Sequence, residues 1–313
     1  MHRYLRAIGF SNLKSRLQVN NLLAYVIQNA DEKKYTSTND MDIMFAEYSM
    51  DFAENLGITV RGEFNEENQF VFDYYFPYSR GTQISSYEDI SIERHAEKES
   101  YAGICDDIKV GVSLIFYLQN VISYLKIKNA DRLPIKGTSL ILSALSVDGT
   151  ILLPLEKRES DLKKTKKESI NRSKLIAAAR NGDEDAMESL TLEDIDTYTN
   201  ISRKILKQDV FTLVDTYFMP YGVECDQYSV LGEIIDYQFV ENKMTKEEIC
   251  QMTICCNDLY FDVSINKKDL LGEPKTGRRF KGIIWMQGHI NFPERSEEHT
   301  SELQSLPNLV CRL

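Results

Sequence analysis

One stretch of the chain gathers groups that could do chemistry. From Asp209 to Tyr228 it reads Asp-Val-Phe-Thr-Leu-Val-Asp-Thr-Tyr-Phe-Met-Pro-Tyr-Gly-Val-Glu-Cys-Asp-Gln-Tyr, which sets the Cys225 thiol between the carboxylates of Glu224 and Asp226 and flanks it with Tyr221 and Tyr228. A nucleophilic cysteine needs a base or a cation to hold its thiolate. Adjacent carboxylates work against it, because they disfavour a second negative charge nearby. The bases to consider are His2, His95 and His289, and His289 shares the parity of Trp285 and Gln287 on a β-patterned run. A metal-free hydrolase or transferase using Glu224, Cys225 and His289 therefore requires that run to pack beside the stretch.

A second constellation is basic. Lys275, Arg278, Arg279 and Lys281 form the only cationic cluster in the last third, with the aromatic rings of Phe280 and Trp285 interleaved. Arginine forks there could hold a small anion or an acidic partner. In an acidic protein the same arginines can equally pair with surplus carboxylates. Together with Tyr221, Tyr228 and Trp285 these four cations make up the candidate binding set.

Other motifs fail on inspection. Gly272-Glu273-Pro274-Lys275-Thr276-Gly277 has phosphate-loop spacing, yet Arg278-Arg279 replaces Lys-Ser/Thr and a strand pattern follows instead of a helix. His95-Ala96-Glu97 opens like a zinc deaminase but lacks the downstream Pro-Cys-x-x-Cys. Cys250 and Cys256 share one face of a strand and Cys255 points the other way, so buried structural cysteine is the better reading than a metal site. The run Lys163, Lys164, Lys166 and Lys167 alternates with Glu159, Asp161 and Glu168, as a solvated helix does. No cofactor fingerprint, G-x-S-x-G elbow or H-E-x-x-H occurs.

The elements that must position these groups sit in a chain of 313 residues, 42% hydrophobic and 27% charged, an ordinary globular balance. A net charge of −11 gives no electrostatic reason to collect on nucleic acid or anionic lipid. The absence of a long apolar run or leader pattern and six cysteines without framework spacing point to a cytoplasmic protein with no membrane role. Tyr4 to Phe10 reads as a short strand, and Ser11 or Ser15 can cap a helix through Leu22, Leu23, Val26 and Ile27. Period two from Ile43 to Tyr78 makes a hairpin turning at Asn65 to Asn68, with Phe70, Phe72, Tyr74 and Phe76 on one face.

Val110 to Leu118 reads as a buried strand and Val121 to Lys128 as a short helix. Val147-Asp148-Gly149-Thr150 predicts a tight hairpin turn inside Gly137 to Leu155. Glu156 to Arg180 reads as a charged helix ended by Asn181-Gly182, and Thr191 to Asp194 as a capping box opening a second through Ile195, Tyr198, Ile201 and Ile205. Val210 to Phe218 fits helix or strand, and alternating runs at Ser229 to Val240, Ile249 to Val263 and Phe280 to Ile290 follow. The expected class is α+β: two mostly antiparallel β-rich halves, 1–155 and 209–294, joined by a charged helical connector over 156–208.

Residues 295–313 match the in-frame translation of a common short-read sequencing adapter, barcode slot included, and are set aside as a tail. This removes His299 and Cys311 from every site argument. Three segments are distinctive: Tyr4-Leu5-Arg6-Ala7-Ile8-Gly9-Phe10, Met219 to Tyr228, and Arg278 to Gly288. On these, the chain over about Met1 to Phe292 resembles a family of uncharacterised proteins from anaerobic Gram-positive bacteria, catalogued as a domain of unknown function. That resemblance implies no activity, cofactor or catalytic residue. The expectation is a binding or protein-interaction protein without catalysis, cofactor or metal, whose partner is a protein or a small anion. The hydrolase or transferase stands as the alternative, nucleic acid is disfavoured by charge, and the sequence carries no indication of oligomeric state.

Overall fold

The computed structural model describes residues 2–37, 44–94, 100–107, 113–130, 137–155, 171, 174–176, 178–179, 182–192 and 214–293. The chain opens with a 3₁₀ helix, Arg3–Ile8, not the expected strand. Gly9 adopts φ 93°, and its N–H and that of Phe10 close back onto Arg6 and Leu5, a left-handed stop that glycine adopts without steric cost. Helix α1, Arg16–Asn29, starts at Ser15, whose Oγ accepts from Gln18 N while Gln18 Oε1 accepts from Ser15 N. Such a capping box stabilises a helix start by about 1 kcal/mol.

Four antiparallel strands follow in simple order: β1 (Glu32–Ser37), β2 (Met44–Ala53), β3 (Leu56–Phe64) and β4 (Phe70–Ser79). Asn68, at φ 61°, helps turn β3 into β4 where the sequence predicts it. The aromatic run does not keep one face, because β4 carries a bulge. Arg61 pairs with Tyr74 but Gly62 with Phe72, leaving Asp73 as the extra residue. Phe70 therefore packs on Tyr48 and Phe64, while Tyr74 and Phe76 turn toward Arg61 on the opposite face.

The second sheet has ten strands: β5 (Ile90–Arg94), β6 (Tyr101–Cys105), β7 (Leu114–Leu118), β8 (Ser139–Leu152), β9 (Tyr217–Pro220), β10 (Gln227–Glu241), β11 (Glu248–Cys256), β12 (Leu259–Asn266), β13 (Leu270–Leu271) and β14 (Arg279–Asn291). Helix α2, Val121–Asn129, follows β7 as expected. Strand β8 pairs with both β12 and β14, so β8, β12, β11, β10 and β14 close into a ring. Val230, Ile234, Met252, Ile254, Phe261, Val263, Ile265, Phe280 and Met286 form its interior, each side chain contributing roughly 1.5–3 kcal/mol by burial.

The expected α+β class is thus corrected: the protein is mostly β, and its sheets are mixed, since β8 runs parallel to β12 and β13 and β14 parallel to β7. The two β-rich halves are not separate bodies joined by a helical connector, because β8 from the first is hydrogen-bonded between β12 and β14 from the last. The hairpin predicted at Asp148-Gly149 is also corrected. Strand β8 runs straight through it as one 14-residue strand, and the register against β14 shifts there between Gly282 and Ile284. A bulge held by Ser146 Oγ, which donates to Asp148 O and Ile283 O, stands in place of the turn. A turn the sequence reading passed over lies at Asn257-Asp258, both at positive φ (52° and 61°), where β11 folds back on β12.

In the middle of the chain Gly182 ends a helical run as expected, with φ 87° and N–H groups of Gly182 and Asp183 on Ala179 O and Ala178 O. Residues 184–192 are helical and include Thr191, whose hydroxyl donates to Met187 O, so Thr191 does not cap a new helix. The expected helix from Ile195, the start of the charged run, the open segment before Val214, and His95 to Glu97 lie outside the described residues. No helix among the described residues is long and apolar enough to cross a membrane.

Candidate functional site

The outer wall of the ring, on β8, β12 and β14, faces the four-stranded sheet, and the seam between them is polar. Gln287 is fully buried; its Nε2 donates to Pro77 O and its Oε1 accepts from Ser79 N and Gln119 Nε2. Ser143 Oγ donates to Ser79 O, and Ser79 Oγ meets Ser264 Oγ at 2.9 Å. The end of β4 is therefore held to the ring through backbone groups that a buried edge must satisfy.

At the centre of the seam lies Arg61, fully buried on β3. Its Nε donates to Glu47 Oε1 on β2, Nη1 to the hydroxyls of Tyr74 and Tyr117, and Nη2 to Gln119 O. The Phe76 ring lies 4.6 Å from the guanidinium carbon. Burial lifts Glu47 above the usual carboxylate range, and Arg61 opposes that lift by favouring the ionised form. Burial also raises Tyr74 and Tyr117. The set is a hydrogen-bonded, buried polar core that joins the two sheets. Sequence reasoning missed it: Glu47 and Arg61 lie 14 residues apart, and nothing in either strand alone announces that they face each other.

From Tyr117 the aromatic contacts continue to Trp285, 5.2 Å away, and on to Tyr4 and His2 at 5.3 and 4.8 Å. Trp285 Nε1 donates to Asp226 Oδ2 at 2.7 Å, and Met286 N donates to Asp226 O. The opening stretch is thus seated on β14 through Asp226 and Trp285. Tyr228, 1% exposed, serves the same end: its hydroxyl accepts from Ile115 N and donates to Ile115 O, tying β10 to β7. Tyr221 stands apart and half-exposed at the tip of the β9–β10 hairpin.

Cys225 is exposed, and its thiol is pushed up by partial burial and by Asp226 and Glu224. His289 is pulled down by burial, with Lys34 and Arg80 adding to the effect. It lies three residues beyond Met286 along β14, roughly 10 Å from the point where Asp226 docks. Among the described residues no hydrogen bond joins this thiol and this imidazole, and both titrate in the wrong direction for a nucleophile and base. Cys250 and Cys256 are buried in the ring with thiols pushed up by burial to about 12, and Cys255 points outward as the alternation predicts. Among the described residues no group of three or more His, Cys, Asp or Glu is placed to hold a metal ion.

The basic cluster is divided. Arg279, 5% exposed, donates through Nε to Leu153 O and through Nη1 to Val214 O, which pins strand ends. Lys281 lies within β14 opposite Thr150 and Leu231. Arg278 and Lys275 remain on the loop before β14, Arg278 Nη1 donating to Glu273 O at 2.8 Å and Lys275 lying 4.0 Å from Glu273 Oε2. Trp285 is seven residues beyond Arg278 along β14, roughly 23 Å away, so it takes no part in that loop.

Fold and seam define a mostly β protein in which a four-stranded sheet is sewn to a closed five-stranded ring by buried polar and aromatic side chains. The chain belongs to the family described as "Domain of unknown function, E. rectale Gene description (DUF3881)", which matches residues 5–288. This bears out the resemblance carried by the three distinctive segments. No curated protein and no solved structure matches the chain.

Proposed function

We propose that the protein is a binding protein without catalytic chemistry of its own, and that loop 272–278 docks a small anion or an acidic partner through Lys275 and Arg278. The observation that carries this reading is the backbone anchoring of the loop that presents the partly exposed Arg278. Gly272 and Gly277 hold φ 94° and 83°, Gly277 N donates to Ile234 O at 2.8 Å, and Ile234 N donates to Arg278 O at 2.7 Å. Cations on a preorganised loop lose little entropy when they bind. Arg278 has one side-chain hydrogen bond among the described residues, to a neutral carbonyl, so its fork keeps donors for a carboxylate or phosphate.

Calorimetric titration with pyrophosphate and with a polyglutamate peptide at low ionic strength tests this. Wild type should bind at least one of them. The double variant Lys275→Ala, Arg278→Ala should bind about tenfold or more weakly, which corresponds to about 1.4 kcal/mol. Equal affinity of the two proteins for both probes, or no binding by wild type, would sink the proposal.

A further inference from the structure

Two surfaces of the ring complement each other and lie too far apart to meet within one chain. The first is the tip of the β9–β10 hairpin, where Met219, Tyr221 and Val223 are exposed, Val223 fully, beside the exposed Glu224. Single exposed apolar residues are ordinary, but three so close together on one turn form a patch. The turn holds its shape: Tyr221 N donates to Gln227 O at 2.8 Å, Gly222 sits at φ 73°, and Asp226, bonded to Trp285, fixes the base. The second surface is loop 272–278 with its cations Lys275 and Arg278, bordered by Leu271 and Leu153, which are 71% and 70% exposed. Leu271 lies opposite Thr150 on β8, and Leu153 follows Leu152, the residue of β8 that pairs with Arg279.

We infer that these surfaces dock on each other between copies of this chain: the hairpin tip of one molecule seats its apolar residues against Leu271 and Leu153 of the next, while Glu224 pairs with Arg278. The inference rests on the reading of loop 272–278 as a site for an acidic partner, and it names that partner as a second copy. Apolar groups at the centre with opposite charges at the rim are the ordinary anatomy of a protein interface. Glu273, 4.0 Å from Lys275 Nζ, offsets part of the charge of the loop, which leaves the Arg278 fork as the main partner of Glu224. The tip meets β10 at Gln227 and the loop meets it at Ile234, seven residues on and roughly 23 Å away. A tip therefore does not reach its own loop. Because the two surfaces differ, the contact is heterologous and adds copies head to tail. Two short loops bury little area, so the association is weak and depends on concentration.

Sedimentation velocity of the full chain at low ionic strength, from dilute to concentrated solution, is the test. Wild type should associate as concentration rises. Glu224→Arg and Arg278→Glu should each associate about tenfold or more weakly, because each sets like charges against one another. The two variants mixed should recover association, since the reversed tip of one then faces the reversed loop of the other. A wild type that stays monomeric throughout, single variants that associate as well as wild type, or a mixture that associates no better than either variant alone overturns the inference. Calorimetric titration with pyrophosphate keeps it apart from the reading of the loop. Glu224→Arg should bind pyrophosphate as wild type does, because its loop is intact; weaker binding would show the tip acting on its own loop and would overturn the contact between copies. A wild type that binds pyrophosphate yet stays monomeric overturns the second-copy partner and leaves the loop as an anion site, whereas one that does neither overturns both.

Discussion

Arg61 joins more of the molecule than any sequence motif does, since its bonds reach β2, β4, β7 and the residue after β7. Arg61→Met leaves Glu47 buried without its cation. The expected cost is about 3–5 kcal/mol of unfolding free energy in urea, the range for breaking one side of a buried pair. Pairing it with Glu47→Leu should recover part of that loss, because both charges then leave the core together; no recovery would mean the ion pair is not the source of the cost. Cys225 tests the absence of catalysis at the same scale. Its thiol should react with iodoacetamide at neutral pH no faster than free cysteine, since burial and two carboxylates oppose the thiolate. Faster labelling that disappears in His289→Ala would restore the enzyme reading. The carboxylate effect on Cys225 was legible in the sequence because it comes from adjacent residues, whereas the role of Arg279 as a strut was not, because Leu153 and Val214 are far from it along the chain.

Elements whose cause is local were legible, and those decided by a distant partner were not. The Ser15 cap, the Gly182 stop and helix α2 depend on neighbours within a few residues. Asp148-Gly149 shows the opposite case: the dipeptide favours a tight turn, but β14 offers a partner along the whole of β8, and pairing across 14 residues outweighs one local preference. Gly149 then has a different reason to be glycine, since a Cβ there would lie 2.5 Å from Phe280 and 2.9 Å from Ile265. Gly149→Ala should cost about 1–3 kcal/mol by overpacking the ring, and a thermal midpoint equal to wild type would count against the bulge. Asn257-Asp258 permits a change in the other direction. Asp258 sits at φ 61°, so Asp258→Gly gives the Asn-Gly pair such a turn favours, with an expected gain of about 0.5–1 kcal/mol in urea.

At the scale of the whole molecule, the N-terminal segment and the C-terminal ring hold each other, and pH should loosen that hold. Glu247, 6% exposed, accepts from Ser11, Asn12, Asn266 and Lys268, and these bonds outweigh the burial that would raise it, so its folded pKa is lowered. His2 is lowered from 6.5 to about 4, chiefly by burial, and His289 is lowered as well. In each case the unfolded chain takes up its proton first, so the stabilisation is present at neutral pH and disappears on acidification. The histidine share is lost from about 6.5 down toward 4, and the Glu247 share below 4.5. Urea midpoints should therefore fall steadily from neutral pH to about 4, and His2→Gln should flatten that slope; a flat wild-type profile would show that these groups are not buried as described. By itself the sequence determined the Ser15 cap, the Gly182 stop, the parity of the cysteine strand and the family, because each is carried by residues close together in the chain. Only the tertiary structure decided that β8 joins the C-terminal ring, that Asp148-Gly149 is a bulge, and that Arg61, Trp285 and Arg279 are buried. Strand partners and the groups that satisfy a buried charge are chosen across long stretches of chain, where burial and pairing energies outweigh local preference.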